Sequence, residues 1–157
     1  YSVTRKEASL MRLGWREWVD LPELGLAGIK AKVDTGARTS ALHAFELRTF
    51  EENGRKRVEF KMHPNQRDRE TVVVCTADIK DEREVRDSGG HLESRWVIET
   101  PVSIGGDTWP IELTLTARDD MLFRMLLGRT AMRGRFLVDP GLSYQVRAKP
   151  PRKRSTS

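Results

Sequence analysis

A small, mainly β domain with one short helix toward its C-terminal part is the fold the sequence predicts. Apolar and polar residues alternate with a period of two along several stretches, and turn-forming clusters separate those stretches. Only one region invites a helical reading. The 157 residues suffice for a single domain with frayed ends. A composition 38% hydrophobic and 32% charged implies a true core beneath a heavily ionic surface.

In chain order, Leu13-Gly14-Trp15-Arg16-Glu17-Trp18-Val19 has strand-like aromatic and β-branched content, punctuated by Leu21-Pro22-Glu23-Leu24-Gly25. Ile29 to Val33 alternates apolar with basic residues, as in a strand with one buried face. Phe45 to Arg48 and Val58 to Met62 alternate likewise around Asn53-Gly54, a strong hairpin signal. Thr71-Val72-Val73-Val74-Cys75 reads as a buried strand. A second hairpin is expected at Asp87-Ser88-Gly89-Gly90, and a further turn at Gly105-Gly106-Asp107 between Val102–Ile104 and Trp109–Leu115. Asp119 to Leu127 could start a helix at its two aspartates, or Leu126-Leu127-Gly128 could be a strand entering a turn. A helix fits Thr130 to Met132, ending near Gly134, and Phe136 to Pro140 reads as a closing strand. The organisation expected is an N-terminal extension over residues 1–12, a domain over 13–146 and a basic disordered tail over 147–157.

Charge narrows the function classes. There are 28 basic and 23 acidic residues, a formal +5; five of the basic ones (Arg147, Lys149, Arg152, Lys153, Arg154) lie in the tail, which has no acid. Residues 1–146 are therefore formally neutral, and polyanion attraction belongs to the tail. No apolar run of about 18 residues exists, which excludes a membrane-spanning helix. The first residues show no apolar stretch after their charges, so no export signal is expected there. The single Cys75 allows no intrachain disulfide and no cysteine-based zinc cage, which makes a reducing, cytoplasmic setting the default.

One tetrad carries chemistry. Asp34-Thr35-Gly36-Ala37 follows the alternating run Ile29–Val33. A strand ending in Asp-Thr-Gly projects a carboxylate from a tight loop, with glycine permitting the turn and threonine able to brace it. Two such loops can share one proton, so that the charged carboxylate activates water while the protonated one polarises a peptide carbonyl. Asp87-Ser88-Gly89 looks similar, but the charged residues before it and Gly90 after it fit a hairpin turn better.

The order Val33-Asp34-Thr35-Gly36-Ala37, a hairpin at 87–90, then Leu126-Leu127-Gly128-Arg129 resembles the retropepsin-type aspartic peptidases. A nearer resemblance is to the bacterial RimB family, often labelled ATP-dependent zinc peptidase, which accompanies the RimK glutamate ligase. It spans Leu13 to Tyr144 and is carried by Gly14-Trp15-Arg16-Glu17, Lys32 through Leu42, and Leu127-Gly128-Arg129.

This resemblance implies a closed, retropepsin-like β-barrel (the acid-protease fold) with a flap hairpin. It implies Asp34, Thr35 and Gly36 as the catalytic loop, with Ala37, Arg38, Arg129 and the flap residues Ser88, Gly89 and Gly90 around the substrate. Only one convincing Asp-Thr-Gly loop exists, so a two-carboxylate site needs a homodimer. Neither word of the label finds its motif. No Gly-x-x-x-x-Gly-Lys-Ser/Thr loop occurs, and His43, His63 and His91 are scattered. No cofactor or metal is expected.

Retropepsins commonly place an acid where this chain has Arg38, so Arg38 and Arg129 are expected to lie together without a local acid. Asp139 could compensate them, or they could clamp a substrate carboxylate. With a ligase partner that adds glutamates, the resemblance implies trimming of poly-glutamate tails, on a ribosomal protein for instance, with Arg95, Arg124, Arg133 or Arg135 as helpers. The alternatives are a zinc-dependent peptidase, as the label states, and a non-catalytic ribosome- or RNA-associated module using the tail. The four tryptophans, Met121, Met125 and Met132 read as packing residues, and Cys75 as buried and inert.

Overall fold

In a computed structural model, residues 11–65, 70–86, 89–117 and 123–146 are described. They form β1 (Met11–Leu13), β2 (Arg16–Leu21), β3 (Leu26–Asp34), β4 (Ser40–His43), β5 (Phe45–Glu52), β6 (Arg55–Met62), β7 (Val73–Arg86), β8 (Leu92–Ile104), β9 (Asp107–Thr116), β10 (Met125–Gly128) and β11 (Phe136–Val138). One short α-helix, α1 (Arg129–Met132), and a 3-10 turn over Pro22–Leu24 complete the elements described.

Alternation builds the sheet as the sequence predicts. Along β2 every second residue is buried, and the inward positions are Glu17, Val19 and Leu21. Facing strands supply Ile29, Leu42, Phe60, Ile98, Leu113 and Met125, all almost fully withdrawn from solvent. Each such side chain contributes about 2 kcal/mol of apolar burial. The nine strands of the main sheet run β2-β3-β10-β4-β9-β8-β7-β6-β5, and a further pairing of Asp20 with Ser103 joins β2 to β8. Six of these strands thereby form a ring around the core, and β7, β6 and β5 extend from it. A separate parallel pair, β1 with β11, ties the two ends of the described chain together.

Two of the predicted turns lie where expected. Asn53 and Gly54 both have positive φ, at 53° and 75°, the conformation a two-residue hairpin turn requires between β5 and β6. Gly105 and Gly106 close the β8–β9 hairpin. Met125 to Gly128 is a strand, which decides between the two readings of that segment; residues 118–122, including Met121, lie outside the described residues.

Two expectations are corrected. The run from Thr71 to Cys75 is not buried throughout: Val72 and Val74 are 43% and 55% exposed while Cys75 is buried, because β7 covers the core with one face only. Met11 and Arg12 belong to β1 rather than to an extension, since they pair with Phe136 and Leu137. Residues 1–10 and the basic tail lie outside the described residues.

Candidate active site

The two segments singled out in the sequence finish side by side. β3 and β10 pair in parallel, with Val33 opposite Leu127 and Asp34 opposite Gly128. The approach there leaves no room for a side chain. A Cβ on Gly128 would stand 2.6 Å from the carbonyl carbon of Thr39, and the Gly128 N–H donates to Ser40 Oγ at 2.9 Å. The start of α1 then holds the loop after Asp34. Arg129 N–H donates to the Ala37 carbonyl (2.8 Å), and Thr130 donates to the Arg38 carbonyl from both N–H (3.1 Å) and hydroxyl (2.8 Å). Within the loop, Gly36 N–H donates to Asp34 Oδ1 at 2.9 Å and Ala37 N–H to the Asp34 carbonyl at 3.2 Å. Asp34 is thus a half-buried carboxylate on a braced turn, with Thr35 and Gly36 exposed beside it.

Arg129 and Arg38 part company. The Arg129 guanidinium Nη1 donates to the carbonyls of Gly36 (3.3 Å) and Thr35 (3.5 Å), so it supports the loop from the side of a small depression it shares with Thr35, Met132 and Phe136. Arg38 lines a different, larger groove and has no ion-pair partner among the described residues. The two arginines expected together thus line separate depressions, Arg38 the groove and Arg129 the smaller one. Asp139 does not mediate between them: its Oδ1 accepts from Gly141 N–H at 2.9 Å, within its own turn.

That groove, about 1110 Å³, runs from the Asp34 loop to the long β7–β8 hairpin. Ala37, Arg38 and Thr39 line it on the loop side, and Arg83, Arg86 and Arg95 on the hairpin side. Of the flap residues expected from sequence, Gly89 and Gly90 are exposed at the hairpin's end, where Gly90 O accepts from Arg86. Ser88, with Asp87, lies outside the described residues.

The groove's far wall is an ion-pair network that sequence reading missed. Glu99 and Glu112 stand directly opposite each other on β8 and β9, an unfavourable pairing of like charges. Lys80 relieves it, reaching Glu99 at 2.8 Å and Glu112 at 3.0 Å. Arg83 adds a two-pronged contact to Glu112 at 3.0 and 3.1 Å and holds Asp81 at 3.0 Å. Hydrogen bonds from Arg83 first, and from Lys80 second, lower the Glu112 carboxyl to about 2. Strand alternation alone could have placed Glu99 and Glu112 on exposed faces, but not their register across β8 and β9.

The other candidates scatter. Arg95 lines the groove but pairs with Glu93 at 3.1 Å; Arg124 is buried; Arg133 lines the smaller depression; Arg135 stacks over Trp109 at 4.4 Å. His43 is a groove residue, its Nδ1 2.7 Å from the Phe123 carbonyl, whereas His63 stacks on Phe45 elsewhere. No three His, Cys, Asp or Glu side chains gather to hold a metal among the described residues, so those residues do not offer the zinc site the family label implies. Met125 and Met132 are core residues, as is Trp109, which donates to the Ala131 carbonyl. Trp15, Trp18 and Trp96 are half-buried. Burial pushes the Cys75 thiol up to about 12. No helix among the described residues is long and apolar enough to cross a membrane.

Comparison with known proteins bears on this site. The chain is 48% identical over 130 residues to a protein of Desulfotalea psychrophila named "Probable alpha-L-glutamate ligase", and 46% identical over 132 residues to one of the same name from Shewanella halifaxensis. Those matches cover 83% and 84% of this chain but only 28% and 29% of the relatives, so the chain spans less than a third of their length. A crystal structure of a Legionella pneumophila protein of unknown function (DUF785) shares the fold, with a TM-score of 0.74 at 24% identity over 88% of this chain and all of that one. The family model described as "Retropepsin-like aspartic endopeptidase RimB" matches residues 12–150, from the second residue of β1 to beyond Val146. With the Asp34 loop and its Gly128 brace inside that span, the chain belongs to the RimB-like family of retropepsin-like aspartic endopeptidases.

Proposed function

We propose that this protein is an aspartic endopeptidase that works as a homodimer on acidic, glutamate-rich chains. The carrying observation is Asp34: a half-buried carboxylate, held on a loop braced by Gly128, Arg129 and Thr130, lining a groove of about 1110 Å³. In this reading the ring of six strands is a retropepsin-like closed barrel, and the β7–β8 hairpin is the flap that covers bound substrate.

The chemistry follows from two copies of that loop. Asp34 and Asp34 of the partner subunit would lie too close for both to ionise, so they would hold one proton between them. The ionised carboxylate takes a proton from water as it attacks the scissile carbonyl carbon. The protonated one donates to the carbonyl oxygen, and collapse of the tetrahedral intermediate expels the amine as it gains a proton. Thr35 and Gly36, exposed beside Asp34, suit a loop that meets its twin. Arg129 belongs to the loop's support, while Arg38, with no ion-pair partner among the described residues, can meet a substrate carboxylate.

Acidic substrate is favoured by Arg38 and by the relatives. Proteins named for glutamate ligation carry a segment nearly half identical to this chain within a much longer polypeptide. Trimming of poly-glutamate tails made by a RimK-type ligase, on a ribosomal protein for instance, is the activity this association supports. The buried, protonated Cys75 is compatible with a reducing cytoplasm. Mass spectrometry of a poly-glutamylated peptide after incubation tests the proposal. The wild-type protein is expected to shorten it, and Asp34→Asn, with unchanged circular dichroism, is expected to leave it intact. Cleavage by Asp34→Asn would reject the mechanism.

A further inference from the structure

Three members of the ion-pair network, Arg83, Glu99 and Glu112, face the groove. Arg83 is the only groove-lining arginine that makes a bidentate carboxylate contact among the described residues, and that carboxylate, Glu112, lines the same groove. A guanidinium fork joined to a γ-carboxylate is the contact a glutamate side chain of a substrate would make.

The surrounding geometry permits exchange. β7 carries one extra residue against β8 between Ile79 and Asp81, so Lys80 sits at a bulge. From there its ammonium bridges Glu99 and Glu112. If Glu112 released Arg83, Lys80 would still hold it, and Asp81 would still hold the Arg83 Nε. Neither partner would be stranded, which is the usual cost of breaking a charge pair. The side chains of Arg83 and Glu112 are 37% and 30% exposed, so an incoming group can reach them from the groove.

We infer that Glu112 is an internal stand-in for a substrate carboxylate, and that Arg83 is a specificity-determining residue which passes from Glu112 to a glutamate side chain when an acidic chain binds. The inference rests on the acidic-substrate reading above. Exchange of one carboxylate for another on Arg83 is close to neutral by itself. A neutral chain gains nothing from it, and a single acid gains little. A run of glutamates gains from Arg38, which has no ion-pair partner among the described residues, and can place a further carboxylate on Arg83 at little cost. Occupancy of Arg83 by Glu112 therefore withholds the guanidinium from neutral chains while leaving it open to acidic ones. The Arg83 fork is also held in its binding geometry beforehand, which lowers the ordering cost on binding.

Fluorescence anisotropy with dye-labelled hexaglutamate and hexaglutamine, on full-length protein carrying Asp34→Asn to prevent cleavage, tests this. Adding Glu112→Gln, which keeps the side chain's shape, is expected to tighten hexaglutamate by roughly three- to tenfold, the scale of a partly exposed ion pair, and to leave hexaglutamine unmoved. Adding Arg83→Met as well is expected to erase that gain. Weaker or unchanged hexaglutamate binding in Glu112→Gln would overturn the inference, as would a gain that survives without Arg83, because that is relief of charge repulsion alone. Melting curves of each variant separate lost binding from lost fold, and absence of hexaglutamate binding in every arm also counts against it. Failure of the parent reading has a different signature, no cleavage of hexaglutamate by the unsubstituted protein while the binding arms behave as stated.

Discussion

Glu17 shows what a single residue can hold. It occupies an inward position of β2 between apolar neighbours, fully buried, yet its carboxylate is well supplied with donors. Gly14 N–H (2.7 Å) and Gln145 N–H (2.9 Å) donate to Oε2, and Val146 N–H (3.4 Å) to Oε1. One side chain thus joins the turn after β1 to the last described residues. Glu17→Ala would leave those backbone donors unmet inside the protein, and a loss of about 3 kcal/mol is expected, read as a lower urea midpoint at unchanged slope. A shift of a few tenths would show that water replaces the carboxylate. Asp34 was legible in the sequence because its chemistry is local: the acid, the turn glycine and the alternating strand are contiguous. Glu17 was legible only as part of a resemblance, since its partners lie at the other end of the chain. Arg129 was legible as a site residue but not in its role, because nothing in Leu-Gly-Arg says that its fork meets loop carbonyls rather than a ligand.

Among elements, the β7–β8–β9 unit couples the hairpin to the groove wall. Lys80 and Arg83 on β7 reach across β8 to Glu112 on β9, so the network spans three strands. Glu112 has a folded value of about 2 against an ordinary 4.5, and a lowered carboxylate stabilises the fold when ionised. That contribution is complete above the ordinary value, declines as pH falls below it, and is gone once pH passes under the folded value. For so exposed a pair it amounts to no more than about 1 kcal/mol. Melting temperatures of wild type and Glu112→Gln are therefore expected to differ above pH 4.5 and to converge toward pH 2, with added salt narrowing the gap. A gap independent of pH would assign the effect to packing instead. Sequence showed the hairpins, since Asn53-Gly54 and Gly105-Gly106 are turn chemistry in themselves. The bulge at Lys80 and the facing of Glu99 with Glu112 were not legible, because register between strands depends on contacts no local pattern records. The exposed Val72 and Val74 make the same point: a β-branched run signals strand, not how many faces it buries.

For the whole molecule, the proposed chemistry asks for a second carboxylate. Each chain supplies one Asp-Thr-Gly loop. Of the other acids lining the groove, Glu99 and Glu112 are engaged by Lys80 and Arg83, and Glu84 lies on the β7 hairpin strand, away from any Asp-Thr-Gly loop in sequence. In the proposed mechanism the second carboxylate would come from another copy, and a two-fold axis beside the exposed Thr35 and Gly36 would bring the loops together with no new residue type required. Activity should therefore follow the dimer. Specific activity on an acidic peptide is expected to be constant at high protein concentration and to fall in proportion to the dimer fraction on dilution, with sedimentation velocity giving that fraction under the same conditions. Mixing wild type with an excess of Asp34→Asn chains gives a sharper form of the test. Mixed dimers hold one aspartate and one asparagine, so activity per wild-type chain should fall as the excess grows, whereas a site complete within one chain would be untouched by the added variant.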